Sequence, residues 1–187
     1  VRAVSRQLPH ARMALIAFKG DAVTLMPLTE DANALEIVLD GVAPALISAG
    51  GTNVAVGLTE ALRAFPEATF AHRAIVLVSD GEALSGDIEE PLAELRVRGV
   101  PVITLLSGTR DGSTIPLPDG TVVLDEDGAP VVSQANPQLL DEIASRTRGR
   151  LLRLDEPDIV GELTDELIGF AEVREREGFR LVPRRRY

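Results

Sequence analysis

The sequence has no cysteine, which excludes disulfide frameworks, thiolate metal sites, iron–sulfur clusters and cysteine nucleophiles. That absence suits an oxidising or a reducing compartment equally. Histidine is nearly as scarce: His10 and His72 are the only two, too few for a histidine-rich metal site or a histidine-centred relay. No run of about 18 apolar residues occurs, so these residues supply no membrane-spanning helix of their own. No Gly-x-x-x-x-Gly-Lys occurs either, which disfavours a nucleotide hydrolase. Basic residues are outnumbered, with 19 Lys and Arg against 29 Asp and Glu and a net charge of −10. A general nucleic-acid binder needs a basic face to displace counterions, and that balance argues against one.

What remains is an ordinary globular chain of 187 residues, 45% hydrophobic and 26% charged, able to bury a proper core. The charge is unevenly placed. Residues 171–187 hold six arginines and three glutamates, locally +3, which leaves −13 on the rest. The division expected is a domain over 1–170 and a basic tail over 171–187 that ends in Arg184-Arg185-Arg186. That tail reads either as a solvated end or as a juxtamembrane stretch drawn to anionic headgroups. The chain opens at Val1 without an initiator Met or a signal segment, inside what reads as a helix, and is expected to be an excerpt of a longer protein.

The order of elements is legible. Two apolar runs at 12–18 and 22–28, parted by Lys19-Gly20-Asp21, predict a hairpin. Asp31 predicts the cap of a helix whose Leu35, Val38 and Leu39 share a face. A loop over 43–53 precedes a second helix from Val54 to Phe65. Ala74 to Val78 is a continuous apolar run, which predicts a strand of a parallel sheet buried on both faces. A helix over 87–98 with Gly99 as its stop leads to a strand over 100–106. Residues 107–133 are rich in Gly, Pro and Asp, and Asp127-Gly128 predicts a small exposed hairpin. A helix over 137–148 stopped by Gly149, a strand over 150–154 and a last helix from about Asp158 to Glu177 complete the chain. The alternation predicts an α/β, doubly wound and mostly parallel sheet with helices on both faces and a small inserted β-hairpin.

In such sheets ligands sit beyond the carboxyl ends of the strands. Two loops therefore matter most: Gly50-Gly51-Thr52-Asn53 and Ser79-Asp80-Gly81-Glu82. Thr52 offers a hydroxyl and Asp80 a carboxylate, both hard oxygen donors suited to Mg²⁺, which keeps several waters and manages with few protein ligands. Gly50, Gly51 and Gly81 let the backbone bend close to such a site. The alternatives stay open: Thr52 as the N-cap of its helix, Asp80 as the buttress of a turn. Elsewhere, Glu89, Glu90 and Glu94 read as a solvated helix face. The acidic tip at Asp125, Glu126 and Asp127 lacks the spacing of a calcium loop. Ser79 beside Asp80 lacks a histidine for nucleophilic work.

Gly-Gly-Thr-Asn-Val-Ala-Val-Gly-Leu at 50–58 and Ala-Ile-Val-Leu-Val-Ser-Asp-Gly-Glu at 74–82 together resemble the von Willebrand factor A domain. The resemblance implies a doubly wound sheet with one antiparallel edge strand, which the hairpin over 12–28 matches. The segment from Gly108 to Pro118, the Asp-Gly hairpin, Asn136 to Arg150 and the closing Glu175 to Tyr187 resemble the bacterial Bat, or aerotolerance-type, members. The resemblance implies a metal-ion-dependent adhesion site, with Thr52 and Asp80 as ligands of Mg²⁺ or Mn²⁺ and Gly50, Gly51, Asn53, Ser79, Gly81 and Glu82 as supporting loop. It implies a non-enzymatic module binding a protein partner that offers a carboxylate. Further implied partners are other A-domain proteins and a MoxR-type AAA+ ATPase. The implied setting is the cell membrane, through flanking segments, with the domain on the extracytoplasmic side. The Asp-x-Ser-x-Ser loop of the family occurs nowhere in the sequence. It is expected upstream of Val1, on a strand lying between the 12–18 and 74–78 strands, and without that strand the sheet would carry a central gap. The cofactor expectation is conditional on that loop. A metal-free scaffold working through 107–133 and a Mg²⁺-dependent phosphatase-like enzyme are the competing readings.

Overall fold

The computed structural model describes all residues except 43–51, 67–71, 82–83, 109–112, 115–120, 123–127, 129–131, 134 and 181–187; for 84–85, 113–114, 132–133 and 172–180 it describes the backbone alone. The chain opens with helix α1 (Arg2–Gln7), followed by the hairpin strands β1 (Met13–Phe18) and β2 (Ala22–Thr29). Helix α2 (Ala32–Gly41) starts where Asp31 caps it, the carboxylate accepting from the amides of Asn33 and Ala34. Then come β3 (Thr52–Asn53), α3 (Val54–Ala64), β4 (Ile75–Ser79), β5 (Leu84–Ser85), α4 (Glu89–Arg98) and β6 (Val102–Leu106). The short strands β7 (Ser113–Thr114) and β8 (Val132–Ser133) precede α5 (Gln138–Arg146), β9 (Leu151–Arg153) and α6 (Ile159–Arg180). Most expected elements are therefore present. α6 runs without a break through the expected boundary at 170–171, and the Arg184–Arg186 cluster lies outside the described residues.

The central strands β4, β6 and β9 pair in parallel, in that order, with α4 and α5 as their crossovers. β1 and β2 form a separate antiparallel pair. One face of the sheet buries Ile75, Leu77, Val102 and Leu106 against α3, α4 and α5 through Leu58, Leu62, Leu92, Leu95, Leu140 and Ile143. On the opposite face Ile103, Leu105 and Leu152 meet Val4 of α1 and Leu163 of α6. Helices thus cover both faces, as the alternation of elements predicts. α3 joins the core of the first face through Val54, Leu58 and Leu62, and Gly57 lets it approach β1, where a Cβ would lie 2.8 Å from the Phe18 ring.

The expectation that β4 is buried on both faces fails. Ile75 and Leu77 are buried, but Val76 and Val78 are 36% and 42% exposed. Among the described residues no strand pairs with the edge of β4 away from β6, and none joins β1 to β4. The apolar cover on that face gathers over β6 and β9 and stops short of β4. All six residues of β1 are only half-buried.

Two loop expectations change. Val132–Ser133 pairs antiparallel with Ser113–Thr114. The turn expected at Asp127-Gly128 lies largely outside the described residues, although Gly128 has the φ of +80° such a turn requires. α5 ends at Arg146 with Thr147 as its C-cap, and the left-handed residue that follows is Arg148, not Gly149. Gly149 is needed for a different reason: a Cβ there would overlap the carbonyl of Val102. Glu89, expected on a merely solvated face, bridges α4 to α5 through Arg146 at 2.6 Å. The hydrogen bond from Arg146 holds the Glu89 carboxyl below its ordinary value.

Candidate functional site

β4 delivers Ser79 and Asp80 to the carboxyl end of the sheet, where the strand stops and the chain turns through Gly81. Both side chains are half-buried. The turn is built locally: the Gly81 amide donates to Ser79 Oγ at 3.1 Å, and Gly81 itself is buried with φ +75°. A few residues on, Leu84–Ser85 pairs in parallel with Thr52–Asn53, Thr52 standing opposite Leu84. Gly86 then sits so close to Asn53 that a Cβ would overlap its side-chain oxygen. These contacts join the segment that follows the Asp80 turn to Thr52 and Asn53 at the start of α3. Gly50, Gly51 and Glu82 lie outside the described residues.

The capping alternative for Thr52 is removed. Asn53 is the N-cap of α3, its Oδ1 accepting from the amides of Ala55 at 3.1 Å and Val56 at 3.4 Å. Asn53 therefore supports the site by fixing the start of the helix, with its side-chain oxygen spent on backbone amides. Thr52, half-buried and just ahead of that cap, has its place set by β3 pairing and by the Asn53 amide bond to the Lys19 carbonyl at 2.6 Å.

A hydroxyl and a carboxylate fit Mg²⁺ in kind, as two of the six oxygens it requires. Among the described residues no group of three or more His, Asp or Glu side chains is placed to hold a metal. One contact was not legible in the sequence: the Asn136 amide donates to the Asp80 carbonyl at 2.8 Å. The Asn-Pro pair before α5 signals a helix start, but nothing local says that this start touches Asp80. The open groove of about 440 Å³ between Arg150 and the Glu162–Phe170 stretch of α6 is formed by other elements, and its acids include Glu166, which pairs with Arg150 at 3.1 Å.

Residues 1–82, which span α1 to the Asp80 turn, match the family model of the von Willebrand factor type A domain. The fold is the von Willebrand factor type A fold. The chain is similar to the conserved hypothetical protein BatB from Bacteroides thetaiotaomicron, at 28% identity and a TM-score of 0.83, over 91% of this chain and 86% of BatB. It is similar to the same degree, TM-score 0.83 at 26% identity, to an aerotolerance-related membrane protein from Bacteroides fragilis, over 90% of this chain and 84% of that one. Proximal thread matrix protein 1 from the mussel byssus, with a zinc-occupied adhesion motif, shares the A-domain fold at 14% identity and a TM-score of 0.59, over 91% of this chain and 41% of its own. No match is found among curated proteins. No described helix is long and apolar enough to cross a membrane.

Proposed function

We propose that this A domain is a protein-interaction module whose Thr52 and Asp80 help hold a Mg²⁺ ion, and that the ion accepts a carboxylate from a partner protein. The observation that supports this reading is the pairing of β3 with β5, which ties Thr52 to Leu84 in the segment that follows the Asp80 turn. On an acidic chain the ion supplies a localised positive charge and a directional bond. The remaining oxygens come from water and from an Asp-x-Ser-x-Ser loop that these residues do not contain. The similarity to BatB and to an aerotolerance-related membrane protein supports a membrane-associated setting. The proposal further takes the domain to lie on the extracytoplasmic side, with other A-domain proteins and a MoxR-type ATPase as its associates.

The test is Mg²⁺ titration calorimetry on the intact protein and its Asp80→Ala variant, with association measured in Mg²⁺ and in EDTA. Loss of Mg²⁺ binding with an unchanged circular dichroism spectrum supports the reading. Partner affinity that is the same in EDTA overturns it. A metal-free scaffold working through 107–133 is the second reading. Under it, deleting 107–133 abolishes association and chelators do nothing.

A further inference from the structure

We infer that the junction between β8 and α5 positions the Asp80 loop, with Asn136 as the positioning residue and Gly81 as the contact that admits it. This rests on the reading of Asp80 as a ligand and names what holds it in place. Asp80 stands just past the end of β4, where the ladder to β6 no longer fixes the chain; the last bond on that side is from the Ser107 amide to the Ser79 carbonyl at 2.9 Å. The next restraint comes from a distant part of the sequence. The Asn136 amide donates to the Asp80 carbonyl at 2.8 Å. A Cβ on the following Gly81 would overlap the Asn136 carbonyl oxygen and lie 2.8 Å from its carbon, so the two backbones are in direct contact.

Asn136 can act as a fixed point because α5 is anchored. Its own Oδ1 accepts from the Gln138 amide at 3.1 Å, which shapes the entry to the helix. Leu140 and Ile143 are fully buried, the Thr104 hydroxyl donates to the Leu140 carbonyl at 3.2 Å, and the Thr147 hydroxyl accepts from the Val102 amide at 3.1 Å. The two ends of the inserted segment meet at the same place, since a Cβ on Gly108 would be 3.7 Å from that of Ala135. The insert therefore leaves and rejoins the domain beside the candidate ligand, and whatever shifts its exit strand shifts the Asp80 carbonyl.

Asn136→Ala keeps the amide donor but removes the side-chain acceptor that orients it; Asn136→Asp keeps both. The carboxyl carbon resonance of Asp80 is read by NMR in metal-free intact protein, and Mg²⁺ affinity is read by calorimetry. Asn136→Ala is expected to move the Asp80 resonance and weaken Mg²⁺ about tenfold, the lower end of the effect of losing an outer-shell support. Asn136→Asp is expected to restore both, which a general loss of stability would not allow. An Asp80 resonance that stays in place in Asn136→Ala overturns the proposal, whatever the metal does. If the resonance moves but the unaltered protein binds no Mg²⁺, the positioning stands and the metal reading falls. Gly81→Ala serves as a second, steric variant and is expected to move the same resonance.

Discussion

Replacing Thr147 by valine should destabilise the domain although the two side chains have the same shape. Thr147 is 5% exposed, and its hydroxyl links the end of α5 to the start of β6. It donates to the Ile143 carbonyl at 2.7 Å and accepts from the Val102 amide at 3.1 Å. The Ala144 carbonyl keeps its bonds from the amides of Thr147 and Gly149 after the change. The Val102 amide keeps nothing: Val102 is fully buried, and valine offers it no acceptor. A buried donor left without a partner costs about 1–3 kcal/mol, roughly twice what making an ordinary hydrogen bond gains. For a chain of this size each kcal/mol lowers Tm by about 2–4 °C, so the expected fall is about 4–8 °C for a loss of ~2 kcal/mol. Thr147→Ser keeps the hydroxyl and loses one methyl group, a cost of about 0.5–1.5 kcal/mol by analogy with Ile→Val. The protein has no tryptophan, so urea unfolding is followed by far-UV circular dichroism. The midpoint should fall in the order wild type, Ser, Val, with the slope unchanged. A Val variant as stable as the Ser variant would refute the assignment of the Val102 amide to the Thr147 hydroxyl.

Asn53→Ala should remove the N-cap of α3 and cost about 1 kcal/mol, measured as a drop in urea midpoint; Asn53→Asp should keep most of it. Glu89 has a carboxyl held below its ordinary 4.5 by the hydrogen bond from Arg146. Its contribution is present above that ordinary value and disappears as pH falls through the lowered one. Arg146→Gln should therefore flatten the loss of stability below about pH 4.5, and both curves should converge in high salt because the pair is exposed. An equal acid slope in the two proteins would count against the bridge. Under the metal reading, Mg²⁺ at a hundredfold excess over its Kd should add about 2.7 kcal/mol to the stability of the intact protein. Asp80→Ala should abolish that gain, and a gain that survives the substitution would place the ion elsewhere.

The features legible in the sequence are those with local causes. Asp31 ahead of an apolar-periodic segment marks the start of α2 because its carboxylate meets amides two and three residues away. Gly99 marks the end of α4 because the cap needs a left-handed residue, and it has φ +61°. The alternation of strands and helices fixes the layered architecture, and the loops at strand ends point to Thr52 and Asp80 before any contact is known. Tertiary structure decided the rest. The run from Ala74 to Val78 reads as buried on both faces, yet whether Val76 and Val78 are covered depends on which strands and helices arrive beside β4. Two-residue strands such as β3 and β5 have no period to detect, and they exist only because their loops meet. Asn136 looks like any helix-entry residue until its amide is found on the Asp80 carbonyl. A cap or a turn is set by neighbours a few residues away, whose positions the backbone geometry already dictates. A sheet edge, or a contact such as Gly81 against Asn136, is set by residues that only chain closure brings together.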